Sequence, residues 1–505
     1  MKALLFETIS KLYRSIEQRW IVHWHPDYHR AFVRIMVSIK QRFFSGHGKS
    51  DLWRWLETPM QPVSGAIADP LVQSLVKHAS SPPSHEAWLW QERENLLPVT
   101  RHLGLGNFDW NQALTTYPKN YSYRRPAVAR LINELRLKNI SHVLIVPWLQ
   151  RHGGADKAAI CYLDVLARRF PGRVLLIATE LGVSPWLKDR IPPDVEIIEW
   201  VELDRWPDIT TSVKELAALL YVVQPRVLHV MNSWLGWELL RREGLRLRSL
   251  ISTWASLFWY GPSEPNCVRG YASEYLPRVA SSLDGVIIDN AKFPWRLQQD
   301  YGFPSDLFHC VYHPTMHFAE KPKSRNFQKD CLRVLWASRF AIEKRMDLLL
   351  AIAMARPQHQ FFVYGGTDGD DHGLIAILNE LQALPNVILR GIYDGFESLP
   401  LNECDIFLYT SSSDGMPNTV IEAMAHGIPL IAPDVGGVSE LVDGTTGWLV
   451  TNINETGEYL SAIDELATDP EKGLLRATAA LARVRERHSF HAFESMLDAV
   501  PGYLD

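Results

Sequence analysis

Short apolar runs alternate with stretches of helical spacing from about residue 140 to the end of the chain. The apolar runs that predict buried strands cover residues 142–147, 174–178, 195–198, 227–230, 250–253, 286–288, 332–338, 361–364, 387–390, 406–409 and 430–432. Amphipathic stretches such as 155–170 and 211–223 lie between several of them and predict helices. Strands that are apolar throughout and separated by helices are typical of parallel sheets covered on both faces. The pattern therefore predicts an α/β fold with doubly wound, Rossmann-like sheets.

A polar segment rich in Pro and Lys at residues 313–328 divides this alternating part and predicts an interdomain linker. We expect a first Rossmann-like domain over residues 136–315 and a second over residues 316–480, followed by a helix over residues 481–505. Residues 1–135 lack the alternation of strands and helices. They are predicted to be mostly helical, and their role is open.

Composition excludes several classes of protein. The net charge of −5 argues against a general nucleic-acid-binding protein, because no excess of cations exists to neutralise phosphates. No apolar run reaches the roughly 18 residues of a membrane span, and Glu7 and Lys11 interrupt the apolar start, so no signal peptide is expected. The five scattered cysteines favour a reducing, cytoplasmic setting. His25 with His29 and Asp368 with Asp370 have ligand-like spacing but no further ligand pattern, so no metal site is predicted.

Two local features of the N-terminal part bear on partners. Residues 1–44 carry eight Lys or Arg against three acidic residues, with aromatic residues between them. They could form basic amphipathic helices that contact the inner face of an anionic membrane, or a solvated face packed on the rest of the protein. Of the 18 tryptophans, 16 precede residue 300. Tryptophan faces stack well on the apolar faces of sugars, so these residues could form a sugar-binding surface. The alternative is that they belong to the core, as most large aromatic residues do.

The loop that follows the strand at 406–409 holds the candidate binding residues of the second domain. A tight turn at 414–417 leads into a helix that ends at Gly427. Asp414 precedes the helix and Glu422 lies eight residues later, so both can face one crevice with free helix amides between them. Such amides suit an anion and carboxylates suit sugar hydroxyls, which together fit a nucleotide sugar. Alternatively, Asp414 only caps the helix and Glu422 is a solvated acid.

Two further motifs follow strands at the same edge of their sheets. Gly153 and Gly154 come between the first strand and a helix, where residues without Cβ atoms let the backbone approach a diphosphate closely. The alternative is a plain turn. Arg339 and Lys344 follow the strand at 332–338 and are candidate cations for the diphosphate leaving group. The alternative is a pair of exposed charges at a helix start.

These motifs resemble those of retaining GT-B glycosyltransferases of the family-4, or group 1, type over roughly residues 140–500. The spacing of Asp414 and Glu422 matches the family's E-x(7)-E signature. The neighbouring second-domain segment PNTVIEAMAHGIPLIAPDVGGVSELVDGTTGWLV is also similar to the family. SRFAIEKRMDLLL is similar to the family's G-R-x(4)-K-G segment, with Ser338 and Arg345 in place of the glycines. Asp414 stands where the family has a glutamate, which keeps the charge and shortens the reach by one methylene.

The resemblance implies a GT-B fold, in which two Rossmann-like domains face a cleft and the C-terminal helix packs back on the first domain. It implies transfer of a sugar from a nucleotide-diphosphate sugar to a glycan or lipid-linked oligosaccharide, without a metal ion or cofactor. The catalytic positions that it implies are Arg339, Lys344 and Asp414. The implied substrate-binding positions are Gly153, Gly154, Gly415, Met416, Pro417, Asn418, Thr419 and Glu422.

One departure from the family pattern concerns a histidine. Many members end the strand that follows the one at 227–230 with a histidine that contacts the donor sugar. Here that strand ends with residues 251–256, and Trp254 or Ala255 takes the place of the histidine. His229, at the end of the preceding strand, is expected to be a hydrogen-bonded structural residue. Two other classes remain open: a GT-B sugar phosphorylase or epimerase, and a non-catalytic GT-B partner subunit.

Overall fold

The computed structural model of the 505-residue chain describes residues 126–150, 153–203, 209–260, 270–322, 331–367 and 372–505. Ala127–Asp505 form one compact unit. Two parallel sheets organise this unit, one of seven strands and one of six. The predictions for residues 1–44, for the His25 and His29 spacing, and for Asp368 and Asp370 lie outside the described residues.

The first domain contains the seven-stranded sheet, whose order is β3-β2-β1-β4-β5-β6-β7. Its strands are β1 (His142–Leu149), β2 (Val174–Val183), β3 (Glu196–Glu199), β4 (Val227–Met231), β5 (Ser252–Leu257), β6 (Gly285–Ile288) and β7 (Phe308–Cys310). Its helices are α1 (Pro126–Leu135), α2 (Gly154–Arg169), α3 (Pro185–Lys188), α4 (Trp200–Leu203), α5 (Ile209–Val223), α6 (Trp234–Arg248), α7 (Tyr271–Glu274), α8 (Leu276–Val279) and α9 (Lys292–Tyr301). All strand pairs in this sheet are parallel.

Apolar side chains cover both faces of this sheet. Neighbouring residues of β1 point to opposite faces: Ile145 packs with Leu216 and Trp237, whereas Leu144 packs with Leu163. Because both faces of β1 are buried, its sequence is apolar almost throughout, and this is why the strand could be predicted. Helices on both faces give the doubly wound architecture that was expected, with the carboxyl ends of all seven strands at one edge.

The second domain contains the six-stranded sheet, in the order β10-β9-β8-β11-β12-β13 and again parallel throughout. Its strands are β8 (Arg333–Ala337), β9 (Gln360–Tyr364), β10 (Val387–Gly391), β11 (Ile406–Leu408), β12 (Leu430–Pro433) and β13 (Trp448–Val450). Its helices are α10 (Met346–Ala355), α11 (His372–Ala383), α12 (Asn418–Ala425), α13 (Val438–Leu441), α14 (Gly457–Thr468) and α15 (Pro470–Arg487). Buried apolar clusters again lie on both faces of the sheet.

The end of the chain returns to the first domain. Helix α16 (Phe490–Asp498) places Phe493 in the same buried cluster as Leu144 of β1. The hydroxyl of Tyr503 lies 2.8 Å from His229 Nδ1, and His229 Nε2 lies 2.8 Å from the hydroxyl of Ser256. Burial lowers the pKa of His229 to about 3, so the imidazole is neutral. His229 is therefore a buried residue that ties the chain terminus to the sheet.

The structure differs from the predicted elements at several places, and the short strands β7 and β13 were not predicted. Strand β5 covers Ser252–Leu257 and not residues 250–253, because Trp254, Ala255 and Leu257 are all buried within the sheet. The sequence pattern also predicts a short linking helix over residues 381–386, whereas helix α11 covers His372–Ala383. In the part of the chain that the structure describes, no helix is both long and apolar enough to cross a membrane.

Candidate active site

The carboxyl ends of the two sheets face each other across a cleft. The loop after β5 contacts the loop after β11: the indole N–H of Trp259 donates a hydrogen bond of 2.7 Å to the hydroxyl of Ser413. The loop after β6 contacts the same region, since the backbone N–H of Met416 lies 3.4 Å from Asp289 Oδ2. In parallel α/β sheets, ligands bind outside the carboxyl ends of the strands. Both sheets therefore present such an edge to one cleft.

Helix α12 directs its amino end into this cleft. Pro417 caps the helix with extended backbone angles, and the helix then covers the eight residues Asn418–Ala425. The first amides of a helix have no partner within the helix and carry the positive end of its dipole. Asn418 and Thr419 are only partly buried, so this helix start remains accessible. The arrangement suits an anionic group.

Asp414 and Lys344, both singled out in the sequence, are in direct contact. Lys344 Nζ donates a hydrogen bond of 2.5 Å to Asp414 Oδ2, and the hydroxyl of Tyr409 donates to the same oxygen. The other carboxylate oxygen accepts the backbone N–H of Gly415 at 3.0 Å. Asp414 is therefore held on three sides, and the ammonium group of Lys344 is fixed where β8 and β11 end.

Arg339 lies near this group but makes a different contact. Its guanidinium donates a hydrogen bond of 2.7 Å to Glu343 Oε1, four residues later, and its side chain is exposed. Lys344, by contrast, has only 15% of its side chain exposed. The two cations thus follow the same strand, with Lys344 fixed in the cleft and Arg339 at its surface.

The Gly-Gly loop of the first domain meets helix α12 of the second. Gly153 caps helix α2 in an extended conformation. A Cβ atom at Gly154 would lie 2.5 Å from Asn418 Nδ2, so a side chain there would displace the amide of Asn418. The loop is braced by Asp156, whose carboxylate accepts the backbone N–H of Gln150 at 2.6 Å. Burial raises the pKa of Asp156 to about 6.

Glu422 lies in α12 and is almost buried, with 10% of its side chain exposed. Its Oε1 accepts a hydrogen bond of 2.5 Å from Lys157 of the first domain. Burial raises the pKa of Glu422, and the charge of Lys157 opposes that shift. Asp414 and Glu422 thus both lie at the cleft, each with a lysine partner.

Gly415 and Met416 lie in the seam between the domains. The backbone of Gly415 packs so closely on the first domain that a Cβ atom there would lie 1.9 Å from the carbonyl oxygen of Phe258. Its own carbonyl accepts the backbone N–H of Gly437 at 2.8 Å. Gly436 has a φ of +51°, which residues with a side chain rarely adopt. The turn at 414–417 is therefore fixed by close backbone contacts on two sides.

The sequence analysis did not select three residues that lie at this seam, namely Lys157, Asp289 and Glu440. Each follows a strand or a glycine loop, and the sequence gives no further indication of a role. Glu440 Oε1 accepts the backbone N–H groups of Ala291 and Lys292 at 2.9 and 3.2 Å, which caps helix α9 of the first domain. Asp289 comes directly after β6, and Lys157 lies one turn after Gly154. The rule that ligand-binding residues follow parallel strands would have selected Asp289, but not its contact with Met416.

Asp289 is buried at the seam, and this makes its charge dependent on pH. Burial raises its pKa to about 8, hydrogen bonds from Asn290 and Met416 oppose the shift, and the charges of Asp414 and Glu440 add to it. The folded protein therefore holds a proton that the unfolded chain loses above about pH 4. Because the folded-state pKa is raised, the free energy of unfolding falls as pH rises from about 4 to about 8.

Asp289→Asn removes this titration, so Tm should decline less between pH 5 and pH 8 in the variant than in the wild-type protein. Differential scanning calorimetry at pH 5, 6.5 and 8 measures the difference. The comparison of slopes is independent of any constant effect of the asparagine on stability. Equal slopes in the two proteins would mean that Asp289 does not titrate in this range.

A cavity of about 470 Å³ lies on the first-domain side of the cleft. Its lining includes the aromatic side chains of Trp148, Phe258, Trp259 and Tyr271, and Asp156 and Asn232 add polar groups. Trp148 and Trp259 are 38% and 39% exposed. A larger cavity of about 690 Å³ lies beside β13 and contains none of the predicted residues.

Trp254 and Ala255, which take the place of the family's histidine in the sequence, do not reach the cleft. Trp254 and Ala255 are buried inside the sheet, and the ring of Trp254 packs against Tyr503. Because β5 extends to Leu257, the residues that reach the cleft from this strand are Phe258 and Trp259, both of which line the 470 Å³ cavity.

Comparison with known proteins shows which proteins the chain is similar to. Residues 331–469 match the family model described as glycosyl transferases group 1. The chain is 28% identical over 178 residues to the O-antigen biosynthesis glycosyltransferase WbnH of Escherichia coli, which covers 35% of this chain and 50% of that protein. It is 27% identical over 165 residues to the lipopolysaccharide core biosynthesis mannosyltransferase LpsB of Rhizobium meliloti, covering 30% of this chain and 47% of that protein. The chain spans about half the length of these curated relatives.

Solved structures match over a longer part of the chain. HepE of Anabaena, crystallised with UDP, has a TM-score of 0.58 at 18% identity and covers 71% of this chain and 99% of its own. Sucrose-phosphate synthase of Thermosynechococcus elongatus has a TM-score of 0.57 at 18% identity and covers 72% and 98%. The predicted GT-B fold, with two facing Rossmann-like domains, is confirmed. Residues 331–469 are therefore similar to glycosyl transferases of group 1, within a chain that has the GT-B fold.

Proposed function

We propose that this protein is a retaining glycosyltransferase that moves a sugar from a nucleotide-diphosphate sugar to a glycan or lipid-linked oligosaccharide. The observation that carries the proposal is the contact of Lys344 with Asp414 beside the start of α12. This contact brings a fixed cation, a fixed carboxylate and the amino end of helix α12 to one place in the cleft. An anionic leaving group and a hydroxylated sugar are the ligands that such a combination suits.

In the proposed complex, the diphosphate lies between Lys344 and the amides of Asn418 and Thr419. Negative charge builds up on the diphosphate as the bond to the sugar breaks, and a preorganised cation lowers the free energy of that state. Arg339 is at the surface, where its guanidinium can reach the outer phosphate oxygens. These charges replace a metal ion in the proposal, and full activity in the presence of EDTA would support that part.

Asp414 and Glu422 hold the two sugar rings in this scheme. The carboxylate of Asp414 is fixed by hydrogen bonds from Lys344, Tyr409 and Gly415. In the proposed complex it also accepts hydrogen bonds from hydroxyl groups of the transferred sugar. The carboxylate of Glu422 accepts hydrogen bonds from the ribose hydroxyls of the nucleotide. The neighbouring structures named for UDP complexes make UDP-sugars the first donors to test.

We propose attack from the face of the sugar that the diphosphate leaves, because the oxygens of Asp414 are already engaged in three hydrogen bonds. The acceptor hydroxyl oxygen bonds to the anomeric carbon while the bond from that carbon to the diphosphate oxygen breaks. The hydroxyl proton passes to the departing diphosphate. The transition state has oxocarbenium character, and the configuration at the anomeric carbon is retained.

The acceptor enters from the first domain in this proposal. The exposed faces of Trp148 and Trp259 line the 470 Å³ cavity, and aromatic faces pack well on the apolar faces of pyranose rings. The curated relatives named for O-antigen and lipopolysaccharide biosynthesis make bacterial surface glycans the first acceptors to test.

The test is release of nucleoside diphosphate from UDP-glucose, UDP-galactose, UDP-N-acetylglucosamine and GDP-mannose, with and without a lipid-linked oligosaccharide extract. Glu422→Gln and Lys344→Met are run beside the wild-type protein. We expect one preferred donor, whose turnover both variants lose, and NMR of the product gives the anomeric configuration. Nucleotide binding without turnover of any donor would instead favour a non-catalytic partner subunit.

A further inference from the structure

One ion pair crosses the cleft between the two domains. Lys157, in the first turn of α2, lies 2.5 Å from Glu422 Oε1 in α12. The two residues differ in their surroundings: half of the Lys157 side chain is exposed, whereas only 10% of the Glu422 side chain is. The pair therefore joins a solvated cation to a nearly buried carboxyl.

Burial and a neighbouring acid disfavour the ionised form of Glu422, whereas Lys157 and His426 favour it. Burial is the main cause that raises the pKa of Glu422, and the charge of Glu397 adds to it. Lys157 is the largest influence in the opposite direction, followed by His426, whose Nδ1 lies 2.8 Å from the backbone oxygen of Glu422. Tyr393 is also near, and burial together with the charge of Glu422 raises its pKa, so its hydroxyl adds no charge.

The charge of Glu422 decides which hydrogen bonds it can make. An ionised carboxylate only accepts hydrogen bonds, so its two oxygens can accept both hydroxyls of a ribose. A protonated carboxyl presents one O–H donor and loses one of those acceptor positions. A nearly buried carboxyl needs a nearby cation to remain ionised at neutral pH.

We propose that Lys157 is a positioning residue that keeps Glu422 ionised and oriented, so that the second domain can bind the ribose of the donor only with help from the first. The proposal rests on the proposed nucleotide-sugar function. It makes nucleotide affinity depend on an interdomain contact. The closed arrangement of the Gly-Gly loop against Asn418 would then promote nucleotide binding directly.

The sign of the pH effect follows from this role. Ribose binding is complete above the pKa of Glu422 and is lost as pH falls through it. Removal of Lys157 takes away the main influence that lowers this pKa, so the loss should begin at higher pH. Lys157→Gln should bind nucleotide almost as well as wild type at pH 8.5 and at least tenfold more weakly at pH 6. Lys157→Arg should keep the wild-type profile.

The experiment is isothermal titration calorimetry of the full chain with UDP, GDP and ADP at pH 6, 7 and 8.5. Lys138→Gln is the matched control, because it breaks an exposed Lys–Glu pair of 2.6 Å in the same domain. Glu422→Gln should bind weakly with no pH dependence of its own in this range. Circular dichroism and Tm confirm that each variant is folded.

The outcomes separate this proposal from the proposed function. An unchanged pH profile in Lys157→Gln overturns the positioning role alone. An equal loss of affinity at every pH also overturns it, since Lys157 would then contact the ligand directly or act only in domain packing. If the wild-type protein binds none of the three nucleotides, the nucleotide-sugar function itself is wrong, and the role of Lys157 is wrong with it.

Discussion

Replacing Lys344 with methionine is expected to lower kcat by about 10²- to 10³-fold, which corresponds to ~2.7–4 kcal/mol of transition-state stabilisation. Methionine keeps most of the aliphatic stem and removes the charge. The carboxylate of Asp414 would still accept hydrogen bonds from Tyr409 and from the backbone of Gly415. It is therefore not left buried without a partner, and we expect Tm to change by only a few degrees.

The measurement is steady-state turnover of the preferred nucleotide sugar. Lys472→Met is the matched control, because Lys472 forms an exposed ion pair with Glu465 in the same domain. Exposed ion pairs contribute little to stability, typically about 0–1 kcal/mol. The control should leave kcat and Tm unchanged. Equal turnover in Lys344→Met and wild type would exclude Lys344 from the reaction.

A double mutant separates two explanations of such a loss. Lys344 could act on the leaving group, or it could serve only to neutralise Asp414, which it contacts at 2.5 Å. In the second case, Asp414→Asn would relieve the unpaired charge, and the double variant would recover turnover relative to Lys344→Met. We expect no recovery, because a leaving group without its cation is not helped by an amide at position 414. Recovery of tenfold or more would assign Lys344 a purely supporting role.

The fold was predictable because buried parallel strands leave a direct signal in sequence. Strand β1 is apolar through nearly its whole length, since both of its faces are covered. Helix α11 was placed too late because its buried stripe is narrow, with Leu374 and Leu381 as its buried apolar side chains. A half-exposed helix with few buried positions has weak periodicity, and the sequence pattern alone does not define where it begins.

The candidate site was predictable only where its residues follow strands or lie within one local motif. Asp414 and Glu422 share a single loop and helix, so their spacing could be interpreted. Lys157 lies 265 positions from Glu422, and Asp289 lies 127 positions from Met416. These contacts arise from the packing of one domain on the other, and nothing in the local sequence of either partner indicates them.

The two domains approach each other very closely at Gly415. Gly415→Ala is therefore expected to cause the second large loss of activity. The added Cβ would lie 1.9 Å from the carbonyl oxygen of Phe258 and 3.2 Å from Asp289 Oδ2. The first of these atoms belongs to the backbone at the end of β5, so no side-chain rotation relieves the clash. Either the loop after β5 or the turn at 414–417 must move, and overpacking of this kind costs roughly 1–3 kcal/mol.

Movement of this turn affects several proposed functions at once. Asp414 is bound to the N–H of Gly415, and the carbonyl of Gly415 accepts the N–H of Gly437. We expect at least a hundredfold loss of kcat/KM and faster hydrogen exchange in peptides that contain residues 285–290 and 414–418. Gly444→Ala is the matched control, since a Cβ there meets no atom within 4 Å.

The pair of variants distinguishes a local clash from a general effect of replacing glycine. Gly444→Ala should have wild-type activity and exchange, because Gly444 lies in an open turn of the same domain. Gly415→Ala should retain its circular dichroism spectrum, since the clash lies between the domains and not within either core. If Gly415→Ala kept wild-type activity and exchange rates, the two domains would not need the contact of Gly415 with Phe258 for catalysis. The proposed dependence of donor binding on the first domain would then have to rest on Lys157 alone.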